Sequence, residues 1–90
     1  MATSPEALAA ALGPERELLP AARDLSGEQR FVLWLVATRM TTEAFDLWEC
    51  ANGHPKTVLA WISLAQIRCD RGCGGLRLVA RVRRKETPDG

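Results

Sequence analysis

Three cysteines and the chain's single histidine carry most of the chemistry that this sequence can offer. They stand as Cys50-Ala-Asn-Gly-His54 and, after fourteen intervening residues, Cys69-Asp-Arg-Gly-Cys73. An odd number of cysteines is awkward for a disulfide framework, whereas three thiolates and an imidazole are the four soft ligands of a closed tetrahedral zinc site. Each pair has a glycine directly before its second ligand, Gly53 and Gly72, and Gly74-Gly75 follow the last. Glycine supplies the backbone conformations that a tight ligand loop demands. Backbone N–H groups in such turns can offset thiolate charge.

Other uses of these residues fit less well. Cys50, Cys69 and Cys73 could be small buried hydrophobes with His54 in an exposed turn, and an iron–sulfur cluster could use the same ligands. A dithiol redox pair at Cys69 and Cys73 has one residue too many between its sulfurs and lacks a βαβ context. Catalytic zinc needs an open coordination position, which a full set of four ligands closes. Glu49, next to Cys50, reads as an exposed strand-end carboxylate rather than a proton shuttle. With one histidine, already a ligand, no serine or cysteine nucleophile has a base. The expectation is a protein that is not an enzyme.

The ligands need elements to hold them. Ninety residues make one small domain, which buries only about 60 to 65 per cent of its unfolded surface and gains from a metal staple. Ser4-Pro5-Glu6 reads as a helix start and Gly13-Pro14 as its stop, predicting a helix over 5–12. A second helical turn is expected over 14–19, ended by Pro20, so residues 1–25 read as a loosely attached helical arm. Ser26 and Gln29 have the spacing of a capping box ahead of the apolar run from Phe31, predicting a buried helix over 27–40. A buried strand is the alternative there, because a continuous apolar run shows no period.

From Ala44 onward, short apolar segments alternate with Gly and Cys turns. Phe45–Cys50 reads as a strand into the first loop, with Trp48 on the face of Cys50. Thr57–Ile62 reads as a strand, with a helix over 57–67 as its rival. In the segment after Gly75, Leu76, Leu78, Ala80 and Val82 alternate with Arg77, Val79, Arg81 and Arg83, a half-buried strand with one apolar and one mostly arginine face. Trp34, Trp48 and Trp61 are expected in the core. The fold class is therefore α+β: a small antiparallel sheet with an N-terminal helical segment. It divides into the arm over 1–25, a metal-binding domain over 26–85 with its leading helix, and a frayed tail over 86–90.

Charge divides the chain as well. The net charge is +1, yet residues 1–53 hold four arginines against eight carboxylates and residues 54–90 hold eight cations against three carboxylates. Arg77, Arg81, Arg83, Arg84 and Lys85 thus form a candidate surface for an anionic partner, nucleic acid or an acidic protein face, or simply a solvated strand face. The longest apolar run, Phe31–Ala37, is far short of the roughly 20 residues that cross a bilayer. The N-terminus resembles neither a signal nor a transit peptide. A cytoplasmic setting, where thiols stay reduced, is the expectation.

Two loops donating ligand pairs, with a strand into the first and a strand out of the second, resemble a zinc ribbon. Trp48-Glu-Cys-Ala-Asn-Gly-His54 and the closing Cys73-Gly74 are similar to the zinc core of the actinobacterial RNA polymerase-binding protein family over roughly residues 45–80. The second loop here is one residue longer, the spacing between loops is shorter, and no helical segment follows residue 85 to engage a sigma factor. The resemblance implies a zinc-ribbon-like sheet and a transcription-linked module that docks on RNA polymerase or nucleic acid. A structural or adaptor module with a protein partner, or a homodimer, is the alternative.

Overall fold

The structure is a computed structural model, and it describes residues 2–62, 68–69 and 71–85. Helix α1 spans Pro5–Leu12 as the caps require. Ser4 Oγ accepts from the Ala7 N–H at 3.1 Å, Pro5 occupies the first turn, and Gly13, at φ 75°, returns its N–H to Ala9 O. Helix α2 spans Gly27–Arg39. Its capping box is complete: Gln29 N–H donates to Ser26 Oγ at 3.0 Å and Ser26 N–H donates to Gln29 Oε1 at 2.9 Å. Two otherwise orphaned donors are satisfied at once, which settles the helix-or-strand ambiguity of the apolar run in favour of helix.

The described residues form four strands, numbered in chain order: β1 (Arg16–Leu19), between the helices, then β2 (Phe45–Cys50), β3 (Pro55–Leu59) and β4 (Leu76–Arg84). They form one antiparallel sheet in the order β1-β4-β2-β3. The fold of the described residues is thus α+β, two α-helices and an open four-stranded antiparallel sheet. Leu8, Leu33, Phe45, Leu47 and Val82 are fully buried between the helices and one sheet face. Each such side chain contributes roughly 1.5–3 kcal/mol of transfer free energy.

Several expectations are corrected. Residues 16–19 form a strand, not a helical turn, because β4 provides backbone partners that local propensity cannot register. Nor is the N-terminal segment a loose arm: Leu8 and Leu12 are core residues, Thr3 N–H donates to Gly27 O, and Gly27 lies so near Ala2 that an added Cβ would stand 2.9 Å from the Ala2 Cβ. Trp34 packs against the core and stacks on Phe31, with centroids 6.2 Å apart. Trp61, expected inside, is 74% exposed, because β3 ends at Leu59 and Trp61 falls in the turn beyond it. The 57–67 helix is excluded at its start by β3, and its later residues, like the 86–90 tail, lie outside the described residues.

The arginine face is also rearranged. A bulge in β4 sets Leu47 opposite Ala80 but Trp48 opposite Leu78, passing over Val79. Side chains alternate at every residue, so one extra residue moves everything before it to the other face. Ala80 and Val82 lie on the core face with Leu47 and Phe45, whereas Leu76 and Leu78 share the opposite face with Cys50 and Trp48. Arg77 accordingly lies opposite Glu49 on the core side, and Arg81 lies opposite Asp46 on the other. The sequence alternation predicted four apolar residues on one face, and the bulge divides them two and two.

Arg16 places a charge between the helices and the sheet. Arg16 is 3% exposed, and its guanidinium donates to five carbonyls: Leu12 O at 3.2 Å, Met40 O at 2.7 Å, Glu43 O at 3.1 Å, Ala11 O at 3.2 Å and Ala37 O at 3.1 Å. These acceptors are the unpaired C-terminal carbonyls of both helices and the loop after α2, where helix dipoles favour a cation. Burial lowers the Arg16 pKa from its ordinary value. All five N–H donors of a guanidinium are used, so one side chain ties α1, α2 and the start of the sheet together.

Candidate metal centre

The ligands come from two loops of the same design. In the β2–β3 hairpin, Gly53 N–H donates to Cys50 O at 2.9 Å, Cys50 N–H donates to His54 O at 3.2 Å, and Gly53 takes φ 79°. That is a three-residue hairpin loop with its third residue left-handed, the form that favours glycine. Before β4, Gly72 N–H donates to Cys69 O at 3.1 Å and Gly72 takes φ 76°. Both loops therefore need glycine three residues after the cysteine, and both deliver the second ligand one residue later. This explains the three-residue spacing that the two pairs share.

The same loops aim backbone donors at sulfur. Cys50 Sγ accepts from the N–H of Asn52 at 3.3 Å and of His54 at 3.4 Å. Cys69 Sγ accepts backbone hydrogen bonds from Arg71 and Cys73, and these two bonds are the leading reason that its pKa is lowered to about 6. Cys73 is held differently. Its sulfur accepts from the side-chain Nδ2 of Asn52 at 3.2 Å, and that bond lowers its pKa. Burial and the neighbouring thiols Cys69 and Cys50 outweigh it and leave the pKa raised.

The ligand atoms converge. His54 Nδ1 lies 3.3 Å from Cys50 Sγ, 3.6 Å from Cys69 Sγ and 3.3 Å from Cys73 Sγ, and all four atoms lie within 4.8 Å of one another. A tetrahedral ion with Zn–S of about 2.3 Å and Zn–N of about 2.0 Å sets sulfur and nitrogen about 3.5 Å apart. The donor set and its spacing fit one metal ion. Cys50 and Cys69 are buried, while His54 and Cys73 are partly exposed. Cys50, His54, Cys69 and Cys73 are therefore positioned to bind a metal, at the end of the sheet where β2 leaves and β4 enters.

The basic candidates do not gather so neatly. Arg81, Arg84 and Lys85 are exposed at the other end of β4, and Arg77 is exposed on the core side beyond the bulge. Arg83 is engaged: its Nη1 lies 2.7 Å from Oδ1 of Asp46, a carboxylate only 5% exposed. Glu17 faces Arg83 across the β1–β4 ladder. Glu49 is not fully exposed, and its Oε2 accepts from Gln29 Nε2 at 3.4 Å. The side chain of Asn52 is a functional candidate that the sequence reading does not single out. The available signal is its place inside a ligand loop, directly before the glycine of Cys50-Ala-Asn-Gly-His54.

No protein-family model matches the chain, and comparison with curated proteins and with solved structures finds no match for it. The likeness to the RNA polymerase-binding family therefore rests on the quoted residues alone. No helix among the described residues is long and apolar enough to cross a membrane.

Proposed function

We propose that this chain is a zinc-stabilised binding module, in which the metal holds the fold together and performs no reaction. The observation that carries this reading is the convergence of four ligand atoms from two loops of matching geometry. Zinc suits the set of three thiolates and one imidazole. The ligands of an iron–sulfur cluster attach to separate irons, and ligands that share a single ion sit closer together. Four protein ligands leave no coordination position for a substrate. A structural ion of this kind contributes on the order of 10 kcal/mol to folding, more than the whole net stability of many domains this small. Elemental analysis should find one zinc per chain, and a strong chelator should abolish the sheet signal in circular dichroism. A metal-free chain that folds and is indifferent to the chelator would refute the reading.

The partner follows from charge. Arg81, Arg84 and Lys85, exposed on or just after β4, would meet an acidic surface of RNA polymerase or the phosphates of nucleic acid, which would associate the module with transcription. Arg83, satisfied by Asp46, would contribute less than the sequence suggested. For nucleic acid, the slope of log affinity against log salt should flatten when these three are neutralised. Salt-insensitive or absent binding to both DNA and polymerase would remove this part of the proposal. A second reading, a protein-interaction module or homodimer, is favoured by the exposed apolar side chains Leu19, Leu78 and Trp61, and a strict monomer in light scattering would rule out the homodimer.

A further inference from the structure

The three cysteines are not supported equally. Cys50 and Cys69 each accept two backbone N–H bonds from within their own loop, which any residue in that loop conformation would provide. Cys73 is the second ligand of its loop, with no such turn ahead of it. Its sulfur is instead met by the side-chain amide of Asn52, at 3.2 Å and twenty-one residues earlier in the chain. The backbone N–H of Asn52 meanwhile serves Cys50 at 3.3 Å. One residue thus donates to a sulfur in each loop.

We propose that Asn52 is a positioning residue of the metal centre, a side-chain tie between the two ligand loops that holds Cys73 in place and restrains the nucleophilicity of its thiolate. The inference rests on the reading of the site as a metal centre. Hydrogen-bond donation withdraws charge from a sulfur, and groups that orient metal ligands in this way typically control about 10–100-fold of metal affinity. Removing the amide leaves Cys73, a partly exposed ligand, with its charge less compensated.

Asn52→Ala removes the Nδ2 donor and keeps the backbone N–H to Cys50. The experiment measures zinc affinity by competition with a chromophoric chelator, together with the rate at which iodoacetamide alkylates each cysteine of the zinc-loaded chain, resolved by mass spectrometry. In that alkylation the sulfur attacks the methylene carbon, an S–C bond forms, and iodide leaves with the electron pair of the C–I bond. The expected result is a 10–100-fold loss of affinity, with alkylation accelerated selectively at Cys73. Asn52→Gln, which keeps an amide donor on a longer stem, should recover part of both effects. Unchanged affinity with unchanged Cys73 reactivity overturns the inference, and so does equal acceleration at all three cysteines, which would mark a merely structural role. Failure of the wild-type chain to bind zinc is a separate result that removes the metal reading itself.

Discussion

Cys50 and Cys69 occupy equivalent places in two copies of one loop: each cysteine's carbonyl accepts from a glycine N–H three residues on, at 2.9 and 3.1 Å, and each cysteine's sulfur accepts two backbone donors. The second ligand then falls four residues after the first. Because the two glycines have φ of 79° and 76°, the loops depend on a backbone region that other residues enter only at a cost.

Gly53→Ala and Gly72→Ala should therefore each destabilise the metal-loaded chain by about 1–2 kcal/mol. Nothing lies within 4 Å of a Cβ built at either site, so the penalty is conformational and not a clash. Thermal unfolding of both variants checks this, and a neutral result at both sites would contradict the loop assignment. The left-handed backbone should also make Asn a milder replacement than Ala or Val.

Arg16 should be among the least replaceable residues outside the metal centre. Arg16→Met preserves much of the stem but leaves five carbonyls without their donor, and the expected loss is about 3 kcal/mol or more. Arg16→Lys should recover only part of it, since three rotating donors on one nitrogen cannot span acceptors from two helices. Chemical denaturation measures both. Equal stability of Arg16→Met and wild type would show that water replaces the guanidinium without penalty.

What the sequence disclosed depended on distance along the chain. Ser4-Pro5 and the Ser26/Gln29 box are local signals, and both helices lie where those signals put them. The ligand set was legible for a similar reason, since each pair spans a single tight loop. Strand β1 was not, because its four residues take their conformation from β4, more than sixty positions away. The bulge at Val79 was equally hidden: an unbroken alternation from Leu76 to Arg83 contains nothing to say where one residue will be skipped. The consequence for function is direct, because the predicted arginine face becomes two faces, with one of its members paired to Asp46.

Acid should release the metal. The folded chain lowers the Cys69 pKa to about 6, chiefly through the Arg71 and Cys73 backbone donors, from an unfolded value near that of an ordinary thiol, about 8.5. A lowered folded pKa stabilises the fold fully above the unfolded value, and the contribution is lost as pH falls through the folded one. Metal ligation acts with the same sign, since protons and the ion compete for the same sulfurs. Stability and metal content should decline progressively as pH falls from about 8.5 to about 6, with the Cys69 contribution gone below that. Thermal melts with parallel metal analysis measure this, and stability that rises on acidification through pH 6 would contradict the arrangement of donors.

In the proposed metal centre, Cys50, His54, Cys69 and Cys73 close around one zinc ion. X-ray absorption at the zinc edge of the loaded chain tests it most directly, by counting the atoms bound to the metal. Three sulfurs at about 2.3 Å and one imidazole nitrogen at about 2.0 Å are expected, with no bound water. A shell containing water oxygen, fewer than three sulfurs, or an absence of zinc in the folded chain would contradict it.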